Sequence, residues 1–193
     1  MEKMDKNHEH TQNNVTGMAT GLLQVQDENT TTEDTCYSSN QNMITIVDCS
    51  SILDTNFSWV VKIPKEAVNK SRQENNGCAF AAVLQFKNMR NKNQNDNQIV
   101  LNNAVYGITM RANISNLTDN IEMIFTQNDK VSEASCVSWD GKGELNWTTF
   151  GCETEINNNT IKCSCSHLTF FAVLIVRNFS GEKNLCFNHS CFI

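Results

Sequence analysis

The sequence predicts an all-β fold, a twisted antiparallel β-sandwich, on three observations. Short runs rich in β-branched and aromatic residues recur from Met43 onward. Clusters of Asn, Gly, Asp and Lys separate them, which is turn and loop chemistry. One run, TFFAVLIV at 169–176, is apolar on both faces and therefore fits a strand buried on both sides.

Taken in order, the predicted strand runs are MITIVDC, FSWVVKIP, CAFAAVLQF, IVLNNAVYGITM, IEMIFTQ and ELNWTTF. KIPKEAVNKS reads as a single helical turn opened by Pro64. NKSRQENNG, NMRNKNQNDNQ and NISNLTDN read as exposed loops. Residues 1–42 are polar, with Thr and Asn clusters and only a weak apolar patch at Met18 to Val25. That composition predicts a disordered or remnant N-terminal segment. The sandwich is then expected over 43–176, with residues 177–193 as a C-terminal tail. In TFFAVLIV, Thr169, Phe171, Val173 and Ile175 share one face, and Phe170, Ala172, Leu174 and Val176 the other. Burying its seven apolar side chains contributes on the order of 10 kcal/mol. Such a strand can hold its place even with the chain cut upstream.

The chain has 193 residues and a formal net charge of -6. One domain with a real core fits that length. An acidic chain with scattered Lys and Arg excludes the basic footprint of nucleic-acid binding and argues against an anionic membrane surface. Nine cysteines accompany ten Asn-x-Ser/Thr sequons. Ten is about twice the number that composition yields by chance. The pair of signals favours a disulfide-bonded, glycosylated chain in an oxidising compartment. The sequons within the predicted sandwich begin at Asn56, Asn69, Asn113, Asn116, Asn146 and Asn158. Against this, the N-terminus has no apolar signal-peptide core, and no run of about 18 apolar residues occurs. Read as written, the chain is a secreted product or a fragment of a longer one. His8-Glu9-His10 reads as a solvated polar stretch, and no metal or cofactor is expected.

The chemistry-bearing constellation lies near the C-terminus. It reads Cys136-x2-Trp139, Trp147-x4-Cys152, then Cys163-x-Cys165-x-His167-Leu168-Thr169. A threonine hydroxyl becomes a nucleophile only when a base takes its proton, and His167 is the nearest suitable base. In a tight turn the Thr169 hydroxyl can attack the Leu168 carbonyl. Strain in that turn and donors to the oxyanion must assist. Other readings of the same residues are an ordinary packed histidine, a zinc site and a framework that never cuts. The Cys-x-Cys-x-His spacing is poor for one tetrahedral zinc. Four cysteines allow three pairings.

These residues resemble the proteolysis-site (GPS) motif of the autoproteolysis-inducing (GAIN) domain of adhesion G-protein-coupled receptors, a motif shared with polycystin-like proteins. The motif covers 136–176, and the strands from about Cys49 to Thr126 resemble the sandwich half of that domain. NNAVYGITMRANISNLTDNIEMIF is similar to the subfamily with short extracellular regions. The resemblance implies His167 as base, Thr169 as nucleophile and Leu168–Thr169 as the cut bond. It pairs Cys136 with Cys163 and Cys152 with Cys165, stapling the GPS strands. It makes Thr169, Phe170, Phe171, Ala172, Val173, Leu174 and Ile175 a tethered agonist, held non-covalently after the cut and later delivered to a seven-helix receptor portion. Ile175 stands where methionine is common. The implied location is the extracellular side of the plasma membrane in a parent receptor, with an adhesion ligand that the sequence does not name. A single-turnover, intramolecular cut is not turnover enzymology. The competing expectation is a non-cleaving adhesion sandwich or a soluble decoy.

Of the remaining cysteines, Cys36 and Cys49 flank the start of the sandwich and are candidates to pair, as are Cys186 and Cys191. Cys78 reads as a buried free thiol. Trp139 and Trp147 are expected to cover the disulfides.

Overall fold

The computed structural model describes residues 9–40, 43–54, 57–89, 98–127 and 131–176. Among these are thirteen strands in two antiparallel sheets. In chain order they are β1 (Glu9–Thr16), β2 (Ala19–Gln26), β3 (Thr35–Asn40), β4 (Met43–Val47), β5 (Trp59–Ile63), β6 (Ala79–Phe86), β7 (Gln98–Val100), β8 (Val105–Thr109), β9 (Ile121–Thr126), β10 (Ala134–Trp139), β11 (Cys152–Ile156), β12 (Thr160–Cys165) and β13 (Phe170–Val176). One sheet runs β1-β2-β6-β8-β13-β10, with β7 also on β13. The other runs β11-β12-β9-β5-β3-β4. The fold is the antiparallel sandwich that the alternating runs predict.

The core lies between the sheets and includes Leu22, Tyr37, Trp59, Val61, Tyr106, Phe125, Ile161 and Phe171. Alternation makes it. In β6 every second residue is buried, beginning with Ala79. Trp59 and Phe125 both pack on the Tyr106 ring, with centroids 5.0 Å apart in each pair.

ELNWTTF, expected as a strand, forms only an isolated bridge from Thr148 to Ser138. NKSRQENNG and NISNLTDN, expected as exposed loops, respectively give residues 69–74 to a helix and bury Ile114 and Leu117. Two further sequence expectations need correction. Residues 9–40 are not disordered: they build β1, β2 and β3, and β2 pairs with β6 over its whole length. Their polarity hid them. The inward positions of β2 include Thr20 and Gln24, both buried, and Gln24 accepts a hydrogen bond from the Tyr37 hydroxyl. β3 buries Thr35 through Ser39 between β4 and β5. A polar strand survives inside when its polar groups find partners. The second correction concerns KIPKEAVNKS. Pro64 occupies the N-cap of a ten-residue helix, α1 (Lys65–Glu74), which buries Ala67, Val68 and Ser71. Ser71 Oγ donates to the Met110 carbonyl at 2.8 Å and accepts from the Phe80 N–H at 3.0 Å, tying α1 to the sandwich.

β13 sits inside its sheet. β10 pairs with it along one edge, from Trp139↔Phe170 to Ala134↔Ile175. β8 and β7 pair with the other edge. Phe171 and Val173 enter the main core. Ala172, Phe170 and Leu174 pack on the opposite face with Val100, Val105, Val137, Phe86 and Trp147. Both faces are therefore covered. No helix of the described residues is long and apolar enough to cross a membrane.

Candidate functional site

Three disulfides frame the C-terminal strands and the sandwich edge. Cys136–Cys163 joins β10 to β12 and so staples one sheet to the other. Cys152–Cys165 links β11 to β12 at directly opposed positions. Cys36–Cys49 closes the edge of the second sheet. Cys78 carries a free, half-buried thiol. Cys186 and Cys191 lie outside the described residues.

The His167-Leu168-Thr169 segment is the connection from β12 to β13, so it carries the chain from one sheet to the other. Backbone bonds from three sides fix it. Ser166 N–H donates to the Gly151 carbonyl at 2.9 Å, and Leu117 N–H donates to the Ser166 carbonyl at 2.9 Å. Leu168 N–H donates to the Ile114 carbonyl at 3.0 Å, and Ile108 N–H donates to the Thr169 carbonyl at 3.1 Å. The Thr169 hydroxyl donates to the Trp139 carbonyl. Leu168 packs on the main core, half-buried.

His167 is half-buried, its ring 5.8 Å from the Phe171 ring. Burial pushes its imidazole below the ordinary value of 6.5. It is therefore neutral at pH 7, which is the form that accepts a proton. Gly151 abuts the ring at Nδ1, and its φ of +69° is the left-handed conformation that glycine tolerates. The structure thus brings His167, Leu168 and Thr169 into one short, heavily tethered turn, with the hydroxyl proton directed at β10.

The tryptophans do not cover the disulfides. Alternation along β10 puts Cys136 in the main core and Val137 and Trp139 on the outer face. Trp139 packs against Phe170 with centroids 5.6 Å apart, and Trp147 joins the same outer cluster. They cap the residue that follows Thr169.

Of the sequon asparagines, Asn69, Asn113, Asn116, Asn146 and Asn158 are exposed. Asn56 lies outside the described residues. Sequence reasoning missed the groups that seat the turn: Gly151, the Trp139 carbonyl, and Ile108, Ile114 and Leu117. All five act through backbone groups, which leave no side-chain signature. Gly151 alone could have been suspected from its residue type, since glycine is a turn residue.

Among the described residues the last strand, β13, lies inside its sheet behind a disulfide-framed His-Leu-Thr turn, an arrangement that defines a class of extracellular β-sandwich module. The family model described as GPS, GAIN subdomain B, matches residues 17–178, and the chain belongs to that family. It is 29% identical over 136 residues to adhesion G-protein coupled receptor G1 of Danio rerio, covering 67% of this chain and 20% of that receptor. It is 34% identical over 85 residues to adhesion G protein-coupled receptor G3 of Homo sapiens, covering 42% of this chain and 16% of that receptor. The full extracellular region of zebrafish Gpr126/Adgrg6 shares the fold, with a TM-score of 0.56 at 16% identity, over 83% of this chain and 23% of that one. The chain spans about a fifth or less of the receptors it matches here.

Proposed function

We propose that this chain is the extracellular self-cleaving module of an adhesion receptor, cutting itself between Leu168 and Thr169. The observation that carries the reading is the tethered His167-Leu168-Thr169 turn between the stapled strand β12 and the inner strand β13. Neutral His167 takes the Thr169 hydroxyl proton as Oγ1 attacks the Leu168 carbonyl carbon. The C–N bond then breaks, the departing nitrogen takes the proton from His167, and an ester joins Leu168 to Thr169 Oγ1. Water hydrolyses the ester, leaving a carboxylate on Leu168 and a free hydroxyl and amine on Thr169.

The new N-terminal segment, 169–175, remains as β13, paired on both edges and covered on both faces. Non-covalent burial then holds it until the upstream fragment is removed. In a receptor with a seven-helix portion, the released apolar strand acts as a tethered agonist. The exposure of the sequon asparagines supports the extracellular reading, since each is open to glycosylation.

A second reading is a sandwich that keeps the turn intact and serves adhesion alone. The direction of the Thr169 hydroxyl favours it, since the proton points to the Trp139 carbonyl. One experiment separates the two. The chain is expressed in a secretory host behind an added signal peptide, then examined by denaturing gel and mass spectrometry. Self-cleavage gives a new N-terminus at Thr169, abolished by Thr169→Ala and by His167→Ala. A folded, disulfide-bonded chain that stays intact overturns the self-cleavage reading and leaves the second one standing.

A further inference from the structure

Between β8 and β9 the chain forms a loop, 110–120, with no regular structure and with left-handed residues at Arg111 (φ 51°) and Asn116 (φ 52°). This loop supplies two of the backbone bonds on the His167-Leu168-Thr169 turn and its approach: the Ile114 carbonyl to Leu168 and the Leu117 N–H to Ser166. Such a loop has no ladder of its own to hold it in one conformation. Helix α1 does that instead. Glu66 Oε2 accepts from Thr118 N–H at 2.8 Å, from Thr118 Oγ1 at 2.8 Å and from Asp119 N–H at 3.1 Å. Its other oxygen pairs with Lys70 Nζ at 3.0 Å. Lys70 Nζ also donates to the Ser115 carbonyl at 3.1 Å, and Glu74 Oε2 accepts from Asn113 N–H at 3.1 Å. Ile114 and Leu117, the two residues that touch the turn, lie buried between these anchors.

We infer that the Glu66 carboxylate is a positioning residue for the His167-Leu168-Thr169 turn, acting through loop 110–120. Three donors converge on one of its oxygens, and a charged acceptor forms the stronger class of hydrogen bond. Glu66 sits in the first turn of α1, where the helix dipole favours negative charge. The Asp119 N–H, Lys70 and the Thr118 hydroxyl hold its carboxyl well down, at about 2. The group therefore stays charged at any pH the module meets. Loss of that charge frees the 118–119 end of the loop, and Ile114 and Leu117 then lose their fixed position under the turn. The kinetic consequence rests on the self-cleavage reading; the structural one does not.

The test uses the full chain, secreted with an added signal peptide, in two backgrounds. With Thr169→Ala to block the cut, amide hydrogen exchange is followed by mass spectrometry for chains carrying Glu66, Glu66→Gln or Glu66→Ala. The expected result is exchange faster by on the order of ten-fold in peptides covering 113–119 and 166–169, with the β1–β2 hairpin unchanged. With Thr169 intact, the fraction cut at a fixed chase time falls in the same order, Glu66 above Gln above Ala. Unchanged exchange at 166–169 overturns the inference. So does a rise spread equally into β1–β2, or failure of both variants to fold, because each makes Glu66 a general support. If the Glu66 chain itself never cuts, the self-cleavage reading fails while the exchange comparison still decides the role of Glu66.

Discussion

Gly151 and His167 are in direct apposition: a methyl group at Gly151 would stand 2.8 Å from Nδ1 of the His167 ring. Real side chains do not approach that closely, so any Cβ there must move the imidazole or the turn that carries it. The left-handed φ of Gly151 adds a second reason for glycine. Gly151→Ala is expected to cost about 1–2 kcal/mol of stability from the backbone term alone. Its effect on the proposed cut is expected to be larger than that cost implies, because the displaced group is the proposed base. Thermal melting and the cut fraction, measured on the same preparation, check the pair. A melting shift with an unchanged cut fraction would falsify the seating role of Gly151.

Acid should weaken both the cut and the fold through His167. Burial holds its folded-state value below 6.5, so the unfolded chain takes up the proton first. Stability contributed by the neutral ring is complete above 6.5. It declines as pH falls from 6.5 through the lowered folded value. The cut rate follows the neutral fraction, so it should fall ten-fold per pH unit on the acid side of that value. The measurement is the rate of new Thr169 N-termini after release from a denatured or reduced state, across pH 4.5 to 8. A flat profile argues against His167 as the base. Glu66 cannot mimic the effect, since its carboxyl titrates near 2.

The Cys136–Cys163 bridge spans the two sheets and closes a separation of 27 residues. In the chain-entropy treatment a loop of that size is worth about 3–4 kcal/mol. Removing both cysteines as serine should therefore lower the urea midpoint substantially. It should also slow the cut, because β12 then enters the turn without its anchor to β10. Cys36→Ser with Cys49→Ser is the control: that bridge closes the far edge of the second sheet and should reduce stability without a matching loss of cutting. Equal effects on the cut from both pairs would show that the staples act only through global stability.

Legibility in the sequence followed side-chain chemistry. The both-faced apolar run from Phe170 to Val176 announced a strand covered on both faces, because such burial demands apolar residues at every position; that strand stands one place in from the edge of its sheet. The Cys163-x-Cys165-x-His167-Leu168-Thr169 spacing marked the turn for the same kind of reason, as each residue carries its chemistry in its side chain. β2 and β3 were hidden because buried Thr20, Gln24, Ser38 and Ser39 look like surface. Only a partner residue distant in sequence, such as Tyr37 for Gln24, makes such burial tolerable. The seats of the turn were hidden more completely. Ile108, Ile114 and Trp139 hold it through backbone N–H and carbonyl groups, which every residue has.

The hold on β13 after a cut can be read through Phe171. The side chain is 1% exposed and lies in the main core, beside the His167 ring. Leu174, on the opposite face, is half-buried in the smaller outer cluster. Among the described residues, a cut at Leu168–Thr169 leaves backbone pairing and the packed side chains of β13, with Phe171 and Leu174 the large ones on its two faces, to retain the strand. Fragments of the wild-type chain should therefore co-elute in native buffer and separate only in denaturant. Phe171→Ala leaves a cavity in the core and is expected to cost about 3–5 kcal/mol, against a smaller cost for Leu174→Ala. The check is the urea concentration at which the 169–193 fragment leaves the upstream one. It should fall steeply for Phe171→Ala and modestly for Leu174→Ala. The reverse order would place the retaining contact on the outer face, with Trp147, rather than in the core.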